Sequence, residues 1–423
     1  MNQPDGNDDP LEGWLEADEA AALLEVKRET LYAYVSRGRI RSRASGGRRR
    51  SYQKADVLRL KAQTDARAGH GAVAAGALRW GEPVLDSAIT RIDATGPAYR
   101  GHVAVGLAER GVSFERVAEL LLAGTLVDEA SWSGRLPLAP TRRLAGLVSA
   151  DARPVDAAML ALPAFAMRDP GRHDLGVEAE LRVARRIIRG LAASLGALDS
   201  GARVREAADQ PSVSRTVAVA LGVRPTRRAL LAIDRALVVC ADHELNASSF
   251  ACRIAAAAGA DLYACTLAGL ATLTGARHGG VSDRVAALCD EVGAPELATR
   301  VVRERLRRGD SVPGFGHPLY PDGDPRARSL LDAAVSLAPR NPRVRVLVAL
   351  VDTLELVGGD RPTLDVGLVS LAAALGLPPG GATALFAVGR SAGWLAHAME
   401  QRAAGYLLRP RARYVGPPLS PDG

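Results

Sequence analysis

The sequence predicts a mainly α fold of more than one domain, and three observations carry that expectation. Its 423 residues are more than one domain usually holds. Alanine and leucine, both strong helix formers, dominate a composition that is 48% hydrophobic, ample for a large core. From about residue 79 the chain reads as helical runs broken by glycine and proline, with little period-two alternation.

The same composition narrows the functional classes. The start, "MNQPDGNDDP", is acidic and polar, unlike a signal peptide, and residues 1–12 read as a disordered acidic leader. No apolar run approaches the roughly 18–20 residues that span a bilayer, so a cytoplasmic location without a membrane partner is expected. Cys240, Cys252, Cys265 and Cys289 show no CxxC spacing and no histidine at ligand spacing. They read as reduced, small apolar residues, and no metal site is expected. A phosphate-binding P-loop, a G-x-G-x-x-G after a strand and an H-E-x-x-H are all missing from the sequence.

Charge is concentrated near the start. Thirteen basic residues against three acidic ones lie between Lys27 and Arg67, in a chain whose net charge is only +7, so the remainder is slightly acidic. Such a local excess usually meets a polyanion. "ADEAAALLEV" (17–26) has helical periodicity, and a short turn leads to a second helix, "KRETLYAYVSRG" (27–38), closed by Gly38. "RIRSRASGGRRRSY" then gives two short extended runs around Gly46-Gly47, and a third helix starts near Lys54. Residues 13–66 therefore resemble a winged helix-turn-helix of the MerR/excisionase type. That resemblance implies double-stranded DNA as a partner, with the second helix in the major groove and the wing on phosphates. By it, Lys27, Arg28, Thr30 and Tyr32 would face bases, and Arg48, Arg49 and Arg50 would meet the backbone. A solvated basic surface on a protein-binding domain is the alternative. One departure is Glu25 in the turn, where a glycine would fit a positive φ more easily. Residues 67–78, "RAGHGAVAAGAL", read as a linker.

The long module is best read around its loops. One helix is expected from Ala247 to about Ala258 and another from Asp261 to about Thr274, with Gly259 and Gly275 as stops. His278 then falls in a glycine-bounded loop before a helix that opens near Ser282. Asp324-Pro325 is a helix-start signal that puts Arg326 in the first turn. Asp365 similarly precedes the helical run "VGLVSLAAALGL". Three of the seven histidines, His243, His278 and His317, thus sit in loops beside glycine or acidic residues.

"ADHELNASSFACRIAAAAGADLYACTLAGLATLTGARHGG", "PGFGHPLYPDGDPRA", "RPTLDVGLVSLAAALGLP" and "LFAVGRSAGWLAHAMEQ" together resemble the citrate synthase family, in the family's order, over about 79–415. "YRGHVAVGLAERGVSFERVAELLLAGTL" (99–126) is similar to that family's N-terminal signature, and residues 416–423 remain as a tail. The resemblance implies a citrate synthase fold: a large helical domain and a smaller one, about 281–381, closing over the substrates in a homodimer. It also implies a reaction, the joining of acetyl-CoA to oxaloacetate followed by hydrolysis of citryl-CoA. No permanently bound cofactor is implied, since the coenzyme A thioester is a co-substrate.

The implied roles make chemical sense. A thioester methyl is a very weak acid and a carboxylate a weak base, so enolisation needs the developing enolate oxygen to be stabilised. By resemblance, Asp365 would take the methyl proton, His278 would hydrogen-bond the thioester oxygen, and His317 would donate to the oxaloacetate carbonyl. Oxaloacetate's two carboxylates suit planar guanidinium groups. The resemblance assigns them Arg326 and Arg390, with Arg409 reaching the neighbouring subunit's site. It adds His243 to the oxaloacetate contacts, supported by Asn246 and Ser248.

Three departures from the family pattern bear on coenzyme A and the acyl group. No Lys or Arg stands between His317 and Arg326, Val366 and Gly367 follow Asp365 directly, and "GGVS" replaces "GGAN" after His278. Alternatives kept open are 2-methylcitrate formation from propionyl-CoA, citryl-CoA cleavage, and a transcriptional regulator whose synthase-like module senses a metabolite.

Overall fold

The computed structural model describes residues 14–24, 26–36, 39–44, 50–58, 60, 85–132, 134, 136–138, 141–149, 151–409 and 416. The expected leader 1–12, linker 67–78, Glu25, Gly38, the Gly46-Gly47 turn, Arg48 and Arg49 lie outside the described residues, as does the tail beyond Gly416. The chain divides into two compact units, Ser87–Arg409 and the remainder.

In the first unit the helices Ala17–Leu23 and Arg28–Ser36 precede strands β2 (Ser42–Ala44) and β3 (Arg50–Gln53), and residues 54–58 are again helical. Strand β1 (Trp14–Leu15) completes an antiparallel sheet in the order β1-β3-β2, with Ser42 opposite Tyr52 and Ala44 opposite Arg50. The two expected extended runs are therefore present as paired strands. At the first helix start, the Glu19 carboxylate accepts the Glu16 N–H (2.9 Å), satisfying an otherwise unpaired donor. That helix stops at Leu23, short of the expected 26, because the Val26 N–H turns back to Ala21 O (3.0 Å) and Leu24 is drawn into the core. Ala20, Leu24, Leu31, Ile40, Tyr52 and Val57 are among the residues of that small core. Arg41 ties the wing to the third helix through Asp56 (2.8 Å), and the Arg43 guanidinium stacks over Trp14 at 4.4 Å.

The second unit is a helical assembly around one long buried helix, Gly381–Ala404. Apolar residues ring that helix on every side, as a central helix requires. The expected helices at 247 and 261 are Ala247–Ala257, capped by Asn246, and Leu262–Leu273, capped by Asp261. Asp324 caps Pro325–Leu337 as its sequence signal implies. Two expectations need correction. The helix after His278 opens at Gly280 instead of Ser282, because the Val281 N–H already bonds to His278 O (3.1 Å). Asp365 lies inside the first turn of Leu364–Leu375, with Thr363 at the cap position.

Helical reading alone missed the antiparallel strands β4 (Thr90–Asp93), β5 (Gly96–Tyr99) and β6 (His102–Val103). They are only two to four residues long, and all four residues of β5 are buried, so no alternation could mark them. The Tyr99 hydroxyl at the end of β5 donates to Val238 O (3.0 Å), joining this sheet to the helix Arg227–Cys240. Among the described residues no helix is long and apolar enough to cross a membrane.

Candidate active site

The loop 312–324 owes its path to three positive-φ glycines, Gly314 (φ 84), Gly316 (φ 81) and Gly323 (φ 108). A Cβ on Gly314 would strike Val285 and stand 2.9 Å from Val366 Cγ2. The loop pairs locally with 361–363: Gly316 N–H donates to Arg361 O and Thr363 N–H to Gly314 O, both at 2.8 Å. His317 and Asp365 are thereby carried on two segments bonded to each other. Asp324 adds a second tie. Its carboxylate accepts from the backbone of Arg326 (3.0 Å) and of Leu364 (3.2 Å), so one side chain serves two helix starts.

Arg326 and Arg390 are buried, whereas His243, His278, His317 and Asp365 are half-buried and keep an edge accessible. His243 Nε2 lies 2.8 Å from the Tyr320 hydroxyl, and the rings of His243 and His317 meet edge-on with centroids 5.8 Å apart. His278 Nε2 lies 2.8 Å from Ser248 Oγ, which also accepts from the Trp394 indole (3.0 Å) and reaches Asn246 Oδ1 (2.7 Å). Phe386 stands between His278 and Arg390, 5.8 Å from the imidazole centroid and 4.5 Å from the guanidinium carbon. Asp365 Oδ1 accepts from the Ser282 hydroxyl at 2.7 Å, and Thr363 is more distant from Oδ2 at 3.4 Å.

The electrostatics favour neutral imidazoles. Burial, reinforced by Arg326 and Arg390, holds His243 well below the usual histidine range. Burial and then Arg390 bring His278 down to about 4, and burial with Arg326 lowers His317. Three neutral rings near pH 7 can each offer one N–H and one acceptor nitrogen. Asp365 moves the other way: burial raises its carboxyl, opposed by the Ser282 hydrogen bond and by Arg326. A raised carboxylate is a stronger base than a free one. Burial also pushes Tyr320 up to about 12, which keeps its hydroxyl protonated.

The guanidinium groups are used unequally. Arg326 spends Nε (2.9 Å) and Nη2 (2.8 Å) on Asp324, so its two-pronged fork is already engaged. Its remaining Nη1 is buried and, among the described residues, without a partner. Among the described residues Arg390 spends only Nε, on Cys240 O (2.8 Å). Asn246 uses its side-chain oxygen to cap the helix at Ser248 and Ser249, and its amide nitrogen faces His243 O at 3.4 Å. Arg409 is exposed at the end of the described stretch and joins none of these contacts. Sequence reasoning passed over Tyr320, Ser282 and Phe386. Ser282 had a signal, since it stands at the "GGVS" departure; Tyr320 and Phe386 read as ordinary aromatics.

In the first unit Lys27, Arg28, Thr30, Tyr32 and Arg50 are all exposed. Arg28 is not free, because its Nε donates to Asp18 (2.6 Å), which raises the guanidinium further.

Comparison with known proteins agrees with this architecture. The family model for the citrate synthase C-terminal domain matches residues 77–411, and a helix-turn-helix domain model matches 14–65. Citrate synthase 2 of Bacillus subtilis is 31% identical over 271 residues, covering 62% of this chain and 73% of that protein. Putative citrate synthase 2 of Mycobacterium tuberculosis is 39% identical over 206 residues, covering 47% of this chain and 55% of its own length. The match thus spans about half of the mycobacterial relative. Citrate synthase from Thermotoga maritima superposes with a TM-score of 0.64 at 26% identity, covering 80% of this chain and 94% of that one. The Thermoplasma acidophilum enzyme, solved as a ternary complex with carboxymethyl coenzyme A and oxaloacetate, gives 0.69 at 24% identity, over 80% and 95% of the two chains, and supports the fold.

Fold and site together define a mainly helical acyltransferase of the citrate synthase type. The chain belongs to the citrate synthase family and carries a helix-turn-helix domain ahead of the family's domain.

Proposed function

We propose that this protein condenses acetyl-CoA with oxaloacetate and hydrolyses the resulting citryl-CoA to citrate and coenzyme A. The observation that carries this reading is the arrangement of His278, His317 and Asp365 around two buried arginines, one of which keeps an unpartnered donor. Asp365 takes a proton from the thioester methyl group, and the N–H of a neutral His278 stabilises the enolate oxygen that forms. The enolate carbon attacks the ketone carbon of oxaloacetate while His317 donates to the ketone oxygen. Water then cleaves the thioester and releases the thiol. Arg390, Arg326 through Nη1, His243 and the Asn246 amide hold oxaloacetate, and Arg409 serves the site of a second copy in a homodimer. Residues 79–415 form the catalytic module on this reading, with about 281–381 as the part that closes. Propionyl-CoA remains a competing substrate, because one methylene is worth only about 1–3 kcal/mol in an apolar pocket.

Free-thiol release with oxaloacetate and each acyl-CoA tests the proposal. Acetyl-CoA is expected to give the largest kcat/KM; a larger value with propionyl-CoA would reassign the product to 2-methylcitrate. Thiol release from neither, by folded protein, would reject condensation, and incubation with citryl-CoA would then test the cleavage direction.

A second role is favoured by the excess of ten positive charges between Lys27 and Arg67 beside a helix-turn-helix. We propose that residues 13–66 bind duplex DNA, with Lys27, Thr30 and Tyr32 toward bases and Arg48, Arg49 and Arg50 toward phosphates. Arg28 reaches DNA only by leaving Asp18. Arg50→Ala should weaken binding at all sequences and reduce the salt slope by about 1, whereas Thr30→Ala should relax sequence preference. Weak binding at every sequence, unaffected by oxaloacetate or acyl-CoA, would oppose a regulatory role.

A further inference from the structure

The helix that carries Arg390 also grips the segment that carries His243, at three points in register. Arg390 Nε donates to Cys240 O (2.8 Å), the Gly393 N–H to Ala241 O (2.9 Å), and His397 Nε2 lies 3.2 Å from Asp242 Oδ2. Positions 390, 393 and 397 fall on one helix face, and they meet the consecutive residues 240, 241 and 242. The approach is close enough to require glycine: a Cβ on Gly393 would stand 2.5 Å from Ala241 O and strike Asp242 Oδ1.

Asp242 and His397 are both fully buried. A carboxylate only accepts, so His397 holds its hydrogen on Nε2. Burial would push the Asp242 carboxyl up, but His397 and Arg390 outweigh it and keep the group ionised. The same carboxylate accepts from the Glu244 N–H at 3.2 Å. Glu244 sits at φ 54, in the left-handed region that a residue with a side chain seldom adopts. From the other side, the Tyr99 hydroxyl reaches Asp242 O at 3.3 Å. The result is a strained turn, 242–244, anchored through Asp242, with His243 at its centre.

We infer that the Asp242–His397 pair is a positioning device: it clamps the 240–244 turn to the Arg390 helix and so fixes His243 relative to Arg390 for oxaloacetate. The clamp rests on geometry alone; its consequence for oxaloacetate rests on the function proposed above.

Two measurements on the full chain test it. His397→Phe keeps a ring and removes the donor, while His397→Gln retains a donor. Without ligand, amide exchange of the 240–246 peptide should accelerate at least about tenfold in His397→Phe, with little change elsewhere on the Gly381–Ala404 helix. Oxaloacetate affinity by calorimetry should weaken about 10- to 100-fold, with KM for acetyl-CoA within about twofold, and His397→Gln should recover much of the loss. Unchanged exchange and affinity would overturn the inference, as would a parallel loss of both constants with exchange raised throughout the helix. Should wild-type protein bind no oxaloacetate, the substrate assignment fails, and local exchange alone decides whether the clamp exists. If His397→Phe does not fold, His397→Leu, which also removes the donor, takes its place under the same criteria.

Discussion

Asp365→Asn is expected to lower kcat for thiol release from acetyl-CoA by about 10²- to 10⁴-fold, the range usual for a positioned proton acceptor. Asparagine keeps the size of the side chain and an oxygen for the Ser282 hydroxyl, so the change removes basicity and little else. Stability should respond in the opposite sense. Burial raises the folded-state carboxyl above its ordinary value, so its contribution to stability is fully present at low pH and is lost as pH rises through the raised value. Above the raised value the ionised group therefore costs stability, and there the asparagine variant should melt at the same temperature or higher. An unchanged kcat in that folded variant would refute Asp365 as the base. The pH profile supplies a second readout. As pH falls through the Asp365 value, the base is protonated and kcat drops. Ser282→Ala removes a hydrogen bond that favours the ionised form, so this acid limb should move to higher pH.

How much of this was visible beforehand follows from the range of the forces involved. Local signals were legible: Asn246, Asp261 and Asp324 each cap the helix that begins beside them. Family motifs placed His243, His278, His317 and Asp365, but they said nothing of partners. The bond of Tyr320 to His243 spans 77 residues and that of Ser282 to Asp365 spans 83, so tertiary packing alone creates them. Arg326 shows the limit most clearly. The family resemblance assigned it to a substrate carboxylate, whereas Asp324, two residues earlier, already occupies its Nε–Nη2 fork. An aspartate that caps a helix and pairs an arginine in the same turn looks, in sequence, like a cap alone.

That pairing makes Arg326→Gln the most damaging single change expected for the fold. Arg326 and Asp324 side chains are 3% and 0% exposed, so removing the guanidinium strands a buried carboxylate. Breaking one partner from such a pair typically costs about 3–5 kcal/mol. A large fall in melting temperature should accompany a loss of oxaloacetate binding, and the single variant cannot separate the two effects. The double variant Arg326→Gln/Asp324→Asn can. Neutralising Asp324 removes the stranded charge, so much of the melting temperature should return. Recovery should be partial, because the carboxylate accepts the backbone N–H of Arg326 on one oxygen and of Leu364 on the other. An asparagine has a single oxygen and sets its own N–H₂ against the second donor. Oxaloacetate affinity should stay lost, since the unpartnered Nη1 is gone in both variants. If affinity returns along with stability, Arg326 only supports the helix start at Asp324, and the substrate carboxylate is held by Arg390 and the histidines instead.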